Sequence, residues 1–211
     1  MGTGLSGSYP FVYPVQPHAR KHGPMGYPKH GLYRNWLRDE FTFTCVYCLR
    51  RETWGTLKRD WEIDHFVPKS IYLEGLLDYD NLVYACSTCN RSKAVHLAPD
   101  PCKVAYGSCV EVDGDGEIHP FENNEDGITL IETIGLDGED YNELRRLVFE
   151  LRDALPVGSK PYCRWFGFPK ELPDLSREPI PPRGNKRPKG VHDSCYERAK
   201  HGKLPPYYLR K

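Results

Sequence analysis

The motif stretch of this chain, residues 45–93, contains in order Cys45-Val-Tyr-Cys48, Asp64-His65-Phe-Val-Pro68, Asn81-Leu82 and Cys86-Ser-Thr-Cys89-Asn90-Arg-Ser-Lys93. It contains two C-x2-C pairs, and 37 residues separate them. A C-x2-C turn aims two thiolates at one point, and two such turns complete a tetrahedral zinc site. We therefore predict that Cys45, Cys48, Cys86 and Cys89 hold a structural Zn²⁺ ion.

The other cysteines and the N-terminal residues indicate the compartment. The chain has 8 cysteines, and its first residues form neither a basic nor an apolar region of a secretory signal. Disulfides rarely persist in a reducing compartment, so metal binding is the better interpretation, and we expect a cytoplasmic protein. The four cysteines without pair spacing are expected to be small, half-buried residues: Cys102, Cys109, Cys163 and Cys195.

Length and composition limit the architecture. The 211 residues fit one domain, or one domain with a small companion. Hydrophobic residues make up 39%, and there are 19 Gly and 19 Pro, which predicts a modest core and many loops. No run approaches the ~18 apolar residues of a transmembrane helix, so no membrane partner is expected.

The zero net charge hides a strong asymmetry along the chain. Residues 1–110 carry a net charge of +3, residues 111–153 carry −11 and residues 154–211 carry +8. A local basic surface could therefore still bind nucleic acid. The acidic stretch should face away from a duplex, dock a partner or offset the basic tail. The tail itself is either a flexible, solvated segment or an arm that tracks DNA.

Hydrophobic periodicity predicts the elements around the motifs. Helices are predicted over 31–41, 90–94 and 144–155, and strands over 41–44, 61–64, 81–84 and 128–131. Asp113-Gly-Asp-Gly116 indicates a hairpin turn, and Asp140 is the predicted N-cap of the 144–155 helix. From Pro161 onward, proline and basic residues predict irregular surface or tail.

The polar residues of the motif stretch are suited to phosphodiester hydrolysis. This reaction needs an activated water and charge stabilisation on the phosphate. A neutral imidazole accepts a proton near neutral pH, which makes His65 the natural base. A hard cation such as Mg²⁺ prefers oxygen ligands. Asp64 offers a carboxylate and Asn90 an amide oxygen.

The linked order of these motifs resembles the zinc-bearing form of the HNH endonuclease family over residues 45–93. The resemblance implies an α+β protein with a ββα-metal core. Periodicity and composition add an N-terminal helix and arm, and a C-terminal hairpin, helix and basic tail. The resemblance also implies that Asp64 and Asn90 bind Mg²⁺ or Mn²⁺, that His65 is the general base, and that Asn81 braces the loop carrying His65. Asn90 occupies a position where the family often has His, and Asn is also common there.

The domain organisation follows from the same resemblance and from the changes in composition. We predict an extended arm (1–30), an HNH nuclease domain with the zinc site (31–100), an acidic hairpin-plus-helix subdomain (101–160) and a Pro-rich basic tail (161–211).

The expected partner is nucleic acid, with double-stranded DNA favoured by the resemblance. Lys69, Arg91 and Lys93 are the predicted phosphate contacts. Two alternatives remain open: a non-catalytic zinc module that binds nucleic acid or protein, and a scaffold in which zinc only holds the fold. RNA as substrate, the sequence specificity, and a protein partner or homodimer also stay open.

Overall fold

A two-stranded antiparallel hairpin with a helix packed on it forms the centre of the molecule. In the computed structural model, which describes residues 10–54 and 60–207, β1 pairs with β2 so that Asp64 lies opposite Val83. The strands are β1 (Trp61–His65), β2 (Leu82–Cys86), β3 (Val110–Val112) and β4 (Ile118–Pro120). The helices are α1 (Arg34–Glu40), α2 (Ser87–Lys93), α3 (Glu125–Ile134), α4 (Glu139–Ala154), α5 (Lys160–Phe166) and α6 (Cys195–Lys200). The predicted α+β class is confirmed.

Packing on both faces explains the apolar character of the central hairpin. All five residues of β2 are buried, and the Tyr84 ring stacks on Trp61 with centroids 5.1 Å apart. The α1 helix packs against β2 and buries Trp36 and Leu37, while α2 packs against both strands. This ββα unit brings the residues of the motif stretch together.

The N-terminal arm is a wrapping segment over its described residues 10–30. Phe11, Tyr13 and Tyr27 are buried there, so the arm contributes to the core. Burial of aromatic side chains is strongly favourable, which holds a segment with little secondary structure in place. The residues of the arm before position 10 lie outside the described part.

Two predicted strands are wrong. Residues 41–44 form a reversal instead, because Thr42 and Phe43 both have positive φ (55° and 57°), and a strand cannot continue through them. Residues 128–131 lie in the middle of α3. The Asn124 side chain accepts from the Gly127 amide at the start of that helix, and Gly135 ends it in the left-handed conformation.

The α4 helix begins earlier than predicted. Gly138 is the N-cap, so the prediction of Asp140 is wrong. Its buried side chains include Arg145 and Val148, whereas Leu147 is 49% exposed. The Arg145 guanidinium donates to the Gly116 carbonyl in the predicted hairpin turn, which ties α4 to that hairpin.

The region from Pro161 through residue 207 contains most of α5 and all of α6, whereas residues 167–194 are mostly irregular, so the prediction of irregular surface or tail from Pro161 onward holds only for that middle part. Tyr162 and Phe166 on α5 are fully buried, because the helix brings both onto one apolar face. Lys186 and Arg187 pair with Asp80 at 3.0 and 2.9 Å. These basic residues therefore act partly within the molecule.

The buried core is continuous across the four predicted segments. Its members include residues from each, such as Tyr27, Leu82, Val148 and Phe166. The division of the chain into four parts stays a prediction. Within the described ranges, no helix is long and apolar enough to cross a bilayer.

Candidate active site and metal cluster

The four predicted zinc ligands converge in the interior. The Sγ atoms of Cys45, Cys48, Cys86 and Cys89 all lie within 4.8 Å of one another, and all four side chains are buried. Zinc–sulfur bonds of about 2.3 Å at tetrahedral angles place the sulfurs about 3.8 Å apart. The Cys48 and Cys86 sulfurs are 3.8 Å apart. The donor set and its spacing therefore fit a zinc ion.

Local backbone geometry forms both halves of this cluster. In the first pair, Leu49 has φ 59°, and the Cys45 amide donates to the Arg50 carbonyl, which closes a tight turn. The Val46 amide donates to the Tyr84 carbonyl at 3.0 Å and fastens this turn to β2. In the second pair, the Cys86 sulfur is the N-cap of α2 and accepts from the Cys89 amide at 3.5 Å.

The thiols of the metal-free cluster differ in acidity. Hydrogen bonds from Cys45, Cys48 and Cys89 lower the pKa of Cys86, because they stabilise its thiolate. The pKa of Cys48 is raised by its hydrogen bonds to the neighbouring thiols, and burial raises that of Cys89. Binding of zinc to the cluster releases the protons of those thiols that are still protonated.

A residue of the acidic region reaches this cluster. The Tyr141 hydroxyl on α4 lies 3.2 Å from the Cys89 sulfur. Burial, followed by the nearby thiols, raises the pKa of Tyr141, so its hydroxyl stays protonated and can donate to the sulfur. Tyr141 is therefore an outer partner of the cluster, and no local sequence pattern predicts this contact.

Asp64 is held inside the ββα unit by two partners. The Tyr47 hydroxyl donates to its Oδ2 at 2.6 Å, and the Lys93 ammonium donates to its Oδ1 at 3.2 Å. Burial raises the pKa of Asp64, although the Lys93 charge and the Tyr47 hydroxyl act in the opposite direction. Lys93 also donates to the His65 carbonyl at 3.0 Å, so it fixes the end of β1.

His65 is half-buried at the end of β1, and its ring orientation is defined by one hydrogen bond. Nε2 lies 3.1 Å from the Leu76 carbonyl oxygen. Because a carbonyl can only accept, Nε2 must carry the proton of this bond. In the neutral ring Nδ1 is then the basic nitrogen.

Asn81 ties together the two ends of the loop that follows His65. Its Oδ1 accepts from the Val67 amide at 2.9 Å, and its Nδ2 donates to the carbonyls of Val67 and Gly75 at 3.1 and 3.2 Å. Gly75 precedes the residue whose carbonyl accepts from His65. The geometry matches a bracing role.

Asn90 contacts a carboxylate that the sequence analysis missed. Its Nδ2 donates to Glu62 Oε2, and it shares no hydrogen bond with Asp64. Glu62 and Asp64 lie two residues apart on β1 and therefore on the same face, which packs against α2. The two-residue spacing of Glu62 and Asp64 in a predicted strand could therefore have identified Glu62 from the sequence. Glu62, Asp64 and Asn90 provide the oxygen ligands that suit a hard divalent cation.

The side chains of Asp64, His65 and Asn90 are not hydrogen-bonded to one another. Asp64 and Asn90 lie on the α2 side of β1, whereas alternation along the strand turns the His65 ring to the opposite side. The two sides meet only at the end of β1, where the loop begins. A substrate must reach both from that end.

The three predicted phosphate contacts have different environments. Lys69 and Arg91 are exposed. Lys93 is fully buried against Asp64, so its geometry does not support a contact with phosphate. A lysine one turn after Asn90 faces the hairpin rather than solvent, because α2 packs on β1 along that side.

Comparison with known families agrees with this arrangement. Residues 45–95 match the family model described as HNH endonuclease. Searches of curated proteins and of solved structures found no significant match. The ββα unit and the four-thiol cluster lie within the matched residues, so the predicted resemblance is confirmed. Over residues 45–95 the chain is therefore similar to HNH endonucleases, a family of metal-binding nucleases that act on nucleic acid.

Proposed function

We propose that this protein is a metal-dependent endonuclease that hydrolyses DNA phosphodiester bonds with His65 as the general base. The observation that carries the proposal is the bond from His65 Nε2 to the Leu76 carbonyl at 3.1 Å. It leaves Nδ1 as the basic nitrogen at the half-exposed end of β1. The family of the domain supports the same activity.

The reaction requires one proton transfer to the protein. His65 Nδ1 takes a proton from the attacking water as the water oxygen bonds to phosphorus. The bond from phosphorus to the 3′ oxygen breaks, and the 3′ oxygen takes a proton from solvent. The products are a 5′-phosphate and a 3′-hydroxyl. General-base catalysis of this kind contributes about 10²–10⁴-fold.

Asp64 and Asn90 would hold the divalent cation, with Glu62 beside them. A bound Mg²⁺ or Mn²⁺ would supply positive charge to the phosphate. Tyr47 and Lys93 keep the Asp64 carboxylate in one orientation. Their role is to position this ligand.

The zinc proposed for the four cysteines is structural. Four thiolates leave no open coordination position, so this ion takes no part in the chemistry. Cys89 directly precedes Asn90, so the cluster fixes the turn of α2 that carries a ligand of the catalytic cation. None of the eight cysteines, all within the described residues, forms a disulfide, which is compatible with the reducing cytoplasm that we propose as the location.

The proposed substrate is double-stranded DNA bound mainly through its backbone. Lys69 and Arg91 are exposed on the domain and would contact phosphates. Binding should therefore weaken as the salt concentration rises. The oligomeric state decides whether both strands are cut together.

The test is cleavage of supercoiled plasmid with Mg²⁺ or Mn²⁺ by the wild type, by His65→Ala and by His96→Ala. His96 is an exposed histidine of the same domain and serves as the matched control. We expect nicked and then linear DNA from wild type and His96→Ala, and at least a hundredfold slower cleavage by His65→Ala. Binding without cleavage by the wild type would instead favour a non-catalytic zinc module.

A further inference from the structure

His30 lies beside the proposed general base, although it is outside the residues matched by the family model. Its ring centroid is 5.6 Å from that of His65, and the planes meet at 63°, so one ring presents its edge to the other. The sequence analysis gave His30 no role, because 34 residues separate the two histidines.

The position of His30 is fixed by the same loop that orients His65. His30 starts a 3-10 turn that ends at the fully buried Tyr33 and leads directly into α1. The Tyr33 hydroxyl donates to the Leu77 carbonyl at 3.0 Å, next to the carbonyl of Leu76 that accepts from His65. The 3-10 turn that begins at His30 and the ring of His65 are therefore both hydrogen-bonded to the segment at Leu76 and Leu77.

The surroundings of His30 are positively charged. Partial burial lowers the pKa of its ring, and the neighbouring His65 ring and the charges of Arg34 and Lys69 lower it further. Arg34 lies four residues after His30 on the continuing helix, and its guanidinium donates to the Trp61 carbonyl at 2.8 Å. In residues 10–54 and 60–207, no carboxylate forms an ion pair with Arg34 or Lys69. This solvent-facing cluster therefore has the charge of an anion site.

We propose that His30 is a further catalytic residue, whose ring N–H donates a hydrogen bond to a non-bridging oxygen of the substrate phosphate next to His65. The inference rests on the proposed nuclease function and adds to it a contact from the region before the HNH domain. Arg34 and Lys69 would attract the same phosphate. A hydrogen bond to a charged group contributes about 1.5–3 kcal/mol, or about ten- to 150-fold in rate or affinity.

The first experiment measures kcat and KM on a duplex for wild type, His30→Ala, His30→Gln and His192→Ala. His192 is an exposed histidine of the C-terminal region and is the matched control. We expect kcat/KM to fall about ten- to a hundredfold in His30→Ala, with unchanged melting temperature. His30→Gln keeps a donor and should recover part of the loss, while His192→Ala should match wild type.

The second experiment does not depend on turnover. In protein labelled with ¹³C-histidine, a short duplex is added without magnesium, and the imidazole signals are recorded by NMR. The His30 and His65 signals should shift on binding, and the His192 signal should stay in place.

The outcomes separate the two levels of the proposal. If wild type cleaves and His65→Ala does not, but His30→Ala stays within twofold of wild type, the role of His30 is overturned and the nuclease function stands. Loss of activity that accompanies a fall in melting temperature in both His30 variants also overturns it, in favour of a structural role. If the wild type itself does not cleave, the proposed function fails first.

Discussion

The buried lysine under the active site offers the most direct test of how the ββα unit is held. We consider Lys93→Met, which keeps the length and most of the volume of the side chain but removes its charge. The Lys93 side chain is fully buried, the Asp64 side chain is 5% exposed, and their closest charged atoms are 3.2 Å apart. The substitution therefore leaves a buried carboxylate without its cation.

The size of the effect follows from this burial. Removing one partner of a buried ion pair costs about 3–5 kcal/mol. The Tyr47 hydroxyl still donates to Asp64 and burial already raises the pKa of that carboxyl, so we expect the lower end, about 3 kcal/mol. For a chain of this size, about 2–4 °C is lost per kcal/mol, which predicts a melting temperature lower by about 6–12 °C.

The assay is thermal unfolding followed by circular dichroism, with plasmid cleavage measured on the same samples. Cleavage should also fall, because Lys93 bonds to the His65 carbonyl. The matched control is Arg91→Met on the same helix, where the side chain is exposed and the change should stay within about 0.5 kcal/mol. In the double variant Lys93→Met with Asp64→Asn, both charges are gone, so at least half of the lost stability should return.

Two results would refute this reasoning. A Lys93→Met protein that melts within 2 °C of wild type, where about 6–12 °C is expected, would mean that the buried pair contributes little. A double variant no more stable than Lys93→Met would mean that the cost does not come from the stranded carboxylate.

Three further predictions concern other parts of the molecule. Asn81→Ala removes three hydrogen bonds to the loop between β1 and β2. It should lower the free energy of unfolding in urea by about 2–3 kcal/mol and the cleavage rate at least tenfold. An unchanged cleavage rate would argue against the bracing role. Wild type should contain one zinc per chain by elemental analysis, and Cys89→Ser should lose most of it, whereas Cys163→Ser, outside the cluster, should keep it. Burial raises the pKa of Glu40, but hydrogen bonds, chiefly from His18, lower it overall from 4.5 to about 2. Because the pKa of Glu40 is lower in the folded state, about 3 kcal/mol of stability present above pH 4.5 should be lost as the pH falls toward 2. Glu40→Gln should therefore make the melting temperature less dependent on pH in this range. An equally steep pH dependence in wild type and Glu40→Gln would contradict this prediction.

Much of the central unit could be predicted because its signals are local. The two C-x2-C pairs predict a four-sulfur cluster through spacing alone, and the cluster forms. The strands that became β1 and β2 and the helix that became α2 were placed within one to three residues of their observed limits, since apolar periodicity and flanking polar residues mark them. The family resemblance rested on the same residues.

Predictions failed where a local pattern had two interpretations. The apolar run at 128–131 has the residue types of a strand, but Asn124 and Gly135 supply the cap and stop of a helix. The segment 161–207 has the composition of a tail, yet Tyr162 and Phe166 anchor it in the core. Composition does not reveal which few aromatic residues find a buried partner.

The order and spacing of the motifs were enough to predict the four-cysteine cluster, the position of the ββα unit and the resemblance to HNH endonucleases. Packing between distant segments made Lys93 an internal brace, brought Glu62 to Asn90 and placed His30 against His65. Residue spacing predicts the cysteine pairs and the ββα elements because the residues of each lie in one turn, strand or helix. The contacts of Lys93, Glu62 and His30 join residues 28–35 positions apart in the sequence. These contacts depend on which helix packs on which side of β1. Local periodicity carries no information about that choice, because it is made by the packing of the whole core.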